Sequence, residues 1–260
     1  MTDGIQFSTV GRVGVITLDR PHRKNAFTFE MIDEWARFLQ HASGDPQIGA
    51  IVLTGAGDSF CSGVDLDVLR QQPRTTASYK SLLSERIHQV AFALETTSKP
   101  VIAAINGVAV GAGLDMALMC DMRFASASAT MSEGYIKLGL VPGDGGCYFL
   151  PRLVGPAKAL ELLLTGDTID AAEAHRIGMV NRVYPDAELV DATIAFAQAL
   201  AEQPELPIGM IKRAVQQSMR SDLRTSLDLI SSHFGIVAMT ESVQKTLGTL
   251  PGQSNDRGGS

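Results

Sequence analysis

Two glycine turns, each following an apolar β-branched run and leading into helix-compatible sequence, constrain this chain more than any other feature. The first, Phe60-Cys-Ser-Gly-Val-Asp65, follows the run Ala50–Thr54. The second lies in Ile102–Met122, IAAINGVAVGAGLDMALMCDM, and follows Val101–Ile105. Both read as strand, glycine turn, helix start, which points to alternating α and β elements. The turns also carry chemical meaning. The first N–H groups of a helix have no intrahelical acceptor, so two such turns can bring two free backbone donors around one oxygen atom. Fixed donors of this kind stabilise an enolate, because they need no reorganisation as charge moves onto oxygen.

The rest of the chain extends the alternation. Ile5–Val10 and Val13–Leu18 flank Gly11-Arg12, a two-residue hairpin candidate. Thr28 is placed to cap a helix running to about His41, and an amphipathic helix is expected over 76–97, stopped by Pro100. Shorter helices are expected over 113–119, 156–164 and 170–176, and strands over 122–125 and 179–183. After Asp186 the strand signals stop, and helical patterns fill 187–201, 206–219 and 222–240. An α/β core followed by helices alone is the implied organisation.

A chain of 260 residues, 45% of them apolar, can bury a sizeable core. The formal net charge of −6, without a basic block, argues against a nucleic-acid binder but not against an acidic ligand held by a few local cations. Cys61, Cys120 and Cys147 are odd in number and lack zinc spacing, and the histidines His22, His41, His88, His175 and His233 are scattered. No metal is therefore expected, and reduced thiols suggest a cytoplasmic protein. The first residues show no charged-then-apolar leader pattern, and no apolar run approaches the ~18 residues of a membrane span.

In residue types and spacing, the two glycine loops resemble the crotonase superfamily, also called the enoyl-CoA hydratase/isomerase family, and the likeness runs from about Val13 to Leu200. The resemblance implies an α/β spiral of ββα turns over residues 1–195 and a C-terminal helical oligomerisation region over 196–252, while the polar, glycine-rich tail over 253–260 is expected to be disordered. It also implies a homotrimer or a hexamer, and no cofactor beyond the coenzyme A of the substrate. The implied activity is processing of an acyl-CoA thioester through an enolate, by hydration of a 2-enoyl-CoA or by a double-bond shift. Decarboxylation or C–C hydrolysis is the rival within the superfamily. A non-catalytic CoA-ester-binding or structural subunit is the rival from another class.

Carried onto this sequence, the oxyanion donors are the amides of Val64 and Ala112, the latter where relatives most often have glycine. Gly63 and Gly111 let the backbone approach the ligand, and Gly113 opens the following helix. Ala26, Cys61, Asp65 and Leu66 belong to the ligand-binding loops, with Asp65 ordering its loop rather than reacting. Arg23 and Lys24, within Arg20–Phe27, are the cations for the phosphate end of coenzyme A, whereas Phe234–Leu250 lacks the glutamate-lysine-arginine run common in hydratases.

Where hydratases use two glutamates as acid and base, this chain has Asp115 and Tyr135. A third candidate, Asp144, lies in the glycine-rich Val141–Gly146 and either pairs with Asp115 or caps the next helix. Tyr135 serves the site or only packs, and Glu133 reaches the site only if its loop is displaced. Gly107–Gly113 imitates a dinucleotide turn but has the wrong glycine spacing. Cys61 or Ser62 as a nucleophile lacks a histidine nearby in sequence.

Overall fold

The computed structural model describes residues 3–249. The hairpin forms as expected: β1 (Ile5–Val10) pairs antiparallel with β2 (Val13–Leu18), and Gly11 takes a φ of 57° in the turn. Helix α1 (Phe29–Gly44) starts at Thr28, whose Oγ1 accepts the Met31 amide at 3.4 Å. It buries Phe29, Ile32, Trp35 and Leu39.

From β3 (Ala50–Gly55) onward the strands come in successive pairs. Each of the pairs β3 with β4 (Ser59–Cys61), β5 (Val101–Ile105) with β6 (Val108–Val110), and β7 (Met122–Ser126) with β8 (Thr130–Ser132) splits between two sheets. The first member joins a six-stranded sheet of order β1-β2-β3-β5-β7-β10, and the second joins a four-stranded sheet of order β4-β6-β8-β9. The outer members are β9 (Ile169–Asp170) and β10 (Arg182–Tyr184). Repetition of this step winds the chain into a crotonase-like spiral.

Strands β3 and β5 are buried along their whole length, so their residues divide between two cores. Ile51, Leu53, Val101, Ala103 and Ile105 belong to the larger core, which also holds the buried side chains of α1, while Val52, Ile102 and Ala104 pack with Ala197 and Ala201 of α9 (Leu189–Ala201). The remaining helices of this unit are α2 (Leu66–Arg70), α3 (Thr76–Ser81), α4 (His88–Thr96), α5 (Ala112–Leu118), α6 (Gly146–Val154), α7 (Pro156–Thr165) and α8 (Ala171–Arg176).

Several expectations are revised. The helix expected over 76–97 is interrupted by a π-helical turn at Leu82–Ile87 between α3 and α4. The strand expected over 179–183 forms only at 182–184, because the amides of Met179 and Val180 both bond the Ala174 carbonyl at the end of α8. The short strands of the second sheet had no counterpart in the sequence reading, and helix α6 was anticipated only as the helix that Asp144 would cap. A strand of three residues is too short to show a period.

The first compact unit ends at Gln203, and the boundary expected at 195 falls inside α9. The second unit begins at Pro204 and holds α10 (Glu205–Ser218), α11 (Leu223–Ala238) and α12 (Glu241–Thr249). Within it, Met210, Ile211, Phe234 and Val237 line an apolar groove. The tail 253–260 lies outside the described residues. Among the described residues no helix is long and apolar enough to cross a membrane.

Two glycines give a test of this packing. A Cβ at Gly107, just before β6, would overlap the Asp58 carbonyl, whereas a Cβ at Gly44 meets nothing within 4 Å. Gly107→Ala should lose about 1–3 kcal/mol or more of unfolding free energy. Gly44→Ala, at the end of α1, should be neutral or gain up to about 1 kcal/mol. Urea unfolding of the two variants checks the opposite signs.

Candidate active site

The two glycine loops meet, and backbone contact is what joins them. Phe27 N–H donates to Gly63 O at 2.9 Å and Asp65 N–H donates to Phe27 O at 2.8 Å, so residues 63–65 run beside Phe27 as a short parallel bridge. In that pattern Val64 turns its own N–H to the opposite edge. A Cβ at Gly63 would lie 3.1 Å from Val110 O and 3.5 Å from the Ala112 nitrogen, so the two loops approach closely there. Ala112 is the first residue of α5, so its amide has no intrahelical acceptor. Gly111 takes φ 52° and ψ −124° ahead of it, a conformation suited to glycine, with its N–H on Ser132 O at 2.8 Å. Gly113 is pressed so closely on the Cys61 carbonyl that any Cβ there would overlap it.

Helix α5 carries Asp115 one turn further in, fully buried. Tyr135 stands on a 3₁₀ turn, Gly134–Leu138, with its ring beside Gly111: a Cβ there would sit 3.6 Å from it. Its hydroxyl is 2.7 Å from Asp115 Oδ2 and 3.1 Å from Asp144 Oδ2. All three candidate acid–base residues therefore converge, and Tyr135 does more than pack. Asp144 does not cap α6; the N-cap is Gly145, and Asp144 turns toward the phenol instead. Its loop is held by His88, whose Nε2 bonds the Gly143 carbonyl at 2.8 Å.

Glu133 belongs to the same cluster without any loop displacement, which corrects the sequence reading. It is 1% exposed, and among the described residues no hydrogen-bond partner reaches either of its oxygens, Asp115 Oδ1 or Asp144 Oδ1. Burial is the main cause that raises all of these acids. Asp115 is pushed up to about 7, with Asp144 adding to burial and the Tyr135 hydroxyl opposing it. Glu133 is pushed up to about 10 by burial and then by Asp115. Asp144 is raised by burial, against its bond from Tyr135 and the nearby His88. The phenol of Tyr135 is raised by burial and by the same acids, so it stays protonated.

The loop expected to meet coenzyme A is internally paired. Asp65 caps α2 through the Asp67 amide at 3.0 Å and receives Arg20 at 3.0 Å and Arg23 at 3.2 Å. Its carboxyl is held below its usual range: burial opposes this, but the Asp67 amide and both guanidiniums outweigh it. Asp65 thus orders the loop. Arg23 also pairs with Asp67, and Lys24 pairs with Asp58 at 2.6 Å. Ala26 is buried and its carbonyl accepts from Arg20, whereas Leu66, first in α2, is exposed. Cys61 is buried with its Sγ on the Asn25 carbonyl at 3.2 Å, and burial pushes its thiol up to about 12, which removes it as a nucleophile.

Sequence reasoning missed Asn25 and the role of His88, and it admitted Glu133 only with a displaced loop. Asn25 is fully buried at a left-handed φ of 56°, and its amide donates to Ala56 O and Ser59 O at 2.9 and 2.7 Å. Its only sequence signal was the tolerance of asparagine for turns.

A spiral α/β core in which two glycine loops adjoin a buried group of acids defines an enzyme of the crotonase-like class. The chain matches the family described as enoyl-CoA hydratase/isomerase over residues 9–250, and it belongs to that family. It is 39% identical over 218 residues to 1,2-epoxyphenylacetyl-CoA isomerase of Escherichia coli K12, covering 84% of this chain and 83% of that one. It is 34% identical over 232 residues to short-chain-enoyl-CoA hydratase of Clostridium acetobutylicum, covering 89% and 88%. The crystal structure of an enoyl-CoA hydratase from Bacillus anthracis superposes with a TM-score of 0.89 at 30% identity, covering 95% of each chain. The chain is accordingly an acyl-CoA-processing enzyme of the hydratase/isomerase type.

The acid cluster sets a pH dependence of stability. The folded state holds protons on Asp115 and Glu133 more tightly than the unfolded chain, so it binds more protons between their ordinary values and about 7 and about 10. Unfolding free energy should then fall as pH rises from about 5 to about 9. Asp115→Asn, neutral at every pH, should flatten the part of that fall near neutrality. Thermal midpoints of both proteins across the range check it.

Proposed function

We propose that this enzyme moves a double bond in the acyl part of a coenzyme A thioester by shifting one proton, rather than by adding water. The observation that carries this reading is the Tyr135 hydroxyl lying between Asp115 and Asp144, at 2.7 and 3.1 Å. A hydratase uses two carboxyl groups to hold and activate a water. Here each aspartate has one oxygen committed to a shared phenol, an arrangement that suits passing a proton.

In this reading Asp144 Oδ1, which has no hydrogen-bond partner among the described residues, is the base. Burial strengthens it, bringing its basicity nearer to that needed at a carbon acid. It takes a proton from a carbon activated by the thioester, and the C–H electron pair moves into the conjugated system to leave negative charge on the thioester oxygen. The amides of Val64 and Ala112 receive that charge. Return of the proton at a different carbon completes the shift with no atom gained or lost. Tyr135 and Asp115 form the second end of the proton path, and an Asp115 poised at about 7 can give or take a proton at neutral pH. Gly63, Gly111 and Gly113 keep the two amides close, and Arg23 and Lys24 offer charge to the coenzyme A phosphates at the loop's outer edge.

Similarity to an isomerase at 39% identity supports the same choice, and the hydratase names among the relatives support the competing one. Assembly as a homotrimer, or as a pair of trimers, is proposed with this reading. Its support is the exposed apolar surface of α10 and α11, including Ile211, Val215 and Phe234.

Absorbance of the conjugated thioester separates the two chemistries. A 3-enoyl-CoA should gain conjugation, with kcat/KM at least about tenfold above the rate at which crotonyl-CoA loses it. Asp144→Asn should lower the isomerisation kcat by about 10²–10⁴. Faster hydration of crotonyl-CoA than isomerisation would overturn the proposal.

A further inference from the structure

We infer that Glu133 is a positioning residue of this site: a neutral carboxylic acid that donates its proton to Asp115 Oδ1 and holds Asp115 in line with Tyr135 and Asp144. The inference deepens the proton-transfer reading above and rests on it for the purpose of the chain, though not for the hydrogen bond itself.

The geometry begins at Gly146. A Cβ there would lie 2.5 Å from Asp115 Oδ1 and 2.9 Å from Glu133 Oε2, so the two carboxyl groups meet over one glycine. Both of those oxygens are buried without a donor, and so is Glu133 Oε1. The ionisable groups facing Glu133 are Asp115 on α5, Asp144 on the preceding loop, Tyr135 on its own turn and Cys147 on α6. None of them is a cation. Two buried carboxylates with no counter-charge between them cannot both stay ionised, so at least one holds a proton. A protonated carboxyl is a donor, and a single proton between Glu133 Oε2 and Asp115 Oδ1 pairs those two oxygens.

That proton belongs on Glu133. Asp115 Oδ2 already receives the Tyr135 hydroxyl, and the Gly146 amide also supports its charged form. Glu133 has no such donor, and burial followed by Asp115 pushes it up to about 10. The neutral acid therefore stabilises the anion of Asp115 and fixes which oxygen faces the phenol.

The test compares Glu133→Gln, which keeps a neutral donor, with Glu133→Ala, which removes it. The pH profile of kcat is read on whichever thioester the wild type turns over, so loss of the isomerase reading would not disable it. Glu133→Gln should keep kcat within about threefold at neutral pH and abolish the alkaline limb caused by ionisation of the acid. Glu133→Ala should lose about tenfold or more in kcat with KM nearly unchanged, and its acidic limb should move up because Asp115 has lost a donor. Infrared spectra of unliganded enzyme at neutral pH should contain a neutral carboxylic acid carbonyl band that Glu133→Gln lacks, whatever the activity. The inference is overturned if folded Glu133→Gln loses as much kcat as Asp144→Asn, if a folded Glu133→Ala keeps wild-type kcat, or if no such band disappears.

Discussion

The site depends on one backbone-to-backbone contact, that between the end of β4 and the first turn of α5. No side chain intervenes where Gly113 meets the Cys61 carbonyl, and none would fit. The contact holds because each strand pair sends one strand to each sheet, so β4 and β6 lie side by side and deliver both glycine loops to the same end. Gly111 extends the arrangement to a third pair through its bond to Ser132 at the end of β8, from which Glu133 and Tyr135 follow. The spiral thus fixes the two glycine loops and four ionisable side chains relative to one another before any ligand arrives.

Two groups of aspartates show how environment divides identical chemistry. Asp65 and Asp115 are both almost fully buried, and both sit in or just after a glycine loop. Asp65 is met by two arginines and a helix N-terminal amide, so it remains an anion and serves the fold. Asp115 is met by no cation: burial and then Asp144 raise its affinity for protons, the Tyr135 hydroxyl only moderates the rise, and the group becomes usable in chemistry. Of the cations in this part of the chain, Arg20 and Arg23 pair with Asp65 and Lys24 pairs with Asp58.

Much of this was legible in the sequence where the signal was local. The hairpin, α1 with its Thr28 cap, and strands β3 and β5 follow from period and punctuation, and the glycine loops from their types and order. Asp115, Tyr135 and Asp144 could be named from the resemblance, and Asp144 offered as a partner of Asp115, but Tyr135 could not be placed between them. Their meeting depends on a hydroxyl reaching across from a 3₁₀ turn, a distance that no sequence pattern encodes. Glu133 was harder still. Both Met131 and Ser132 before it are buried, so strand β8 shows no alternation from which an inward carboxylate could be read. The π-helical turn at Leu82–Ile87 was hidden for the opposite reason, since an amphipathic stripe looks continuous across one added residue.

A buried acid cluster is costly, and the compensation explains its form. Left to burial alone, Asp115 would bind its proton too tightly to release it near neutral pH. The hydroxyl of Tyr135, the neutral acid of Glu133 and the amide of Gly146 each favour its anion, and Asp144 opposes them. The balance stops at about 7, where the group exchanges protons in either direction with little driving force lost. Removing any single donor would tip the balance toward a fixed proton, and adding a cation would tip it toward a fixed charge. Glycine at 146 is then as functional as the acids: any Cβ there would press on both Asp115 Oδ1 and Glu133 Oε2, so this position of α6 brings no side chain between them and the cluster keeps its shared protons.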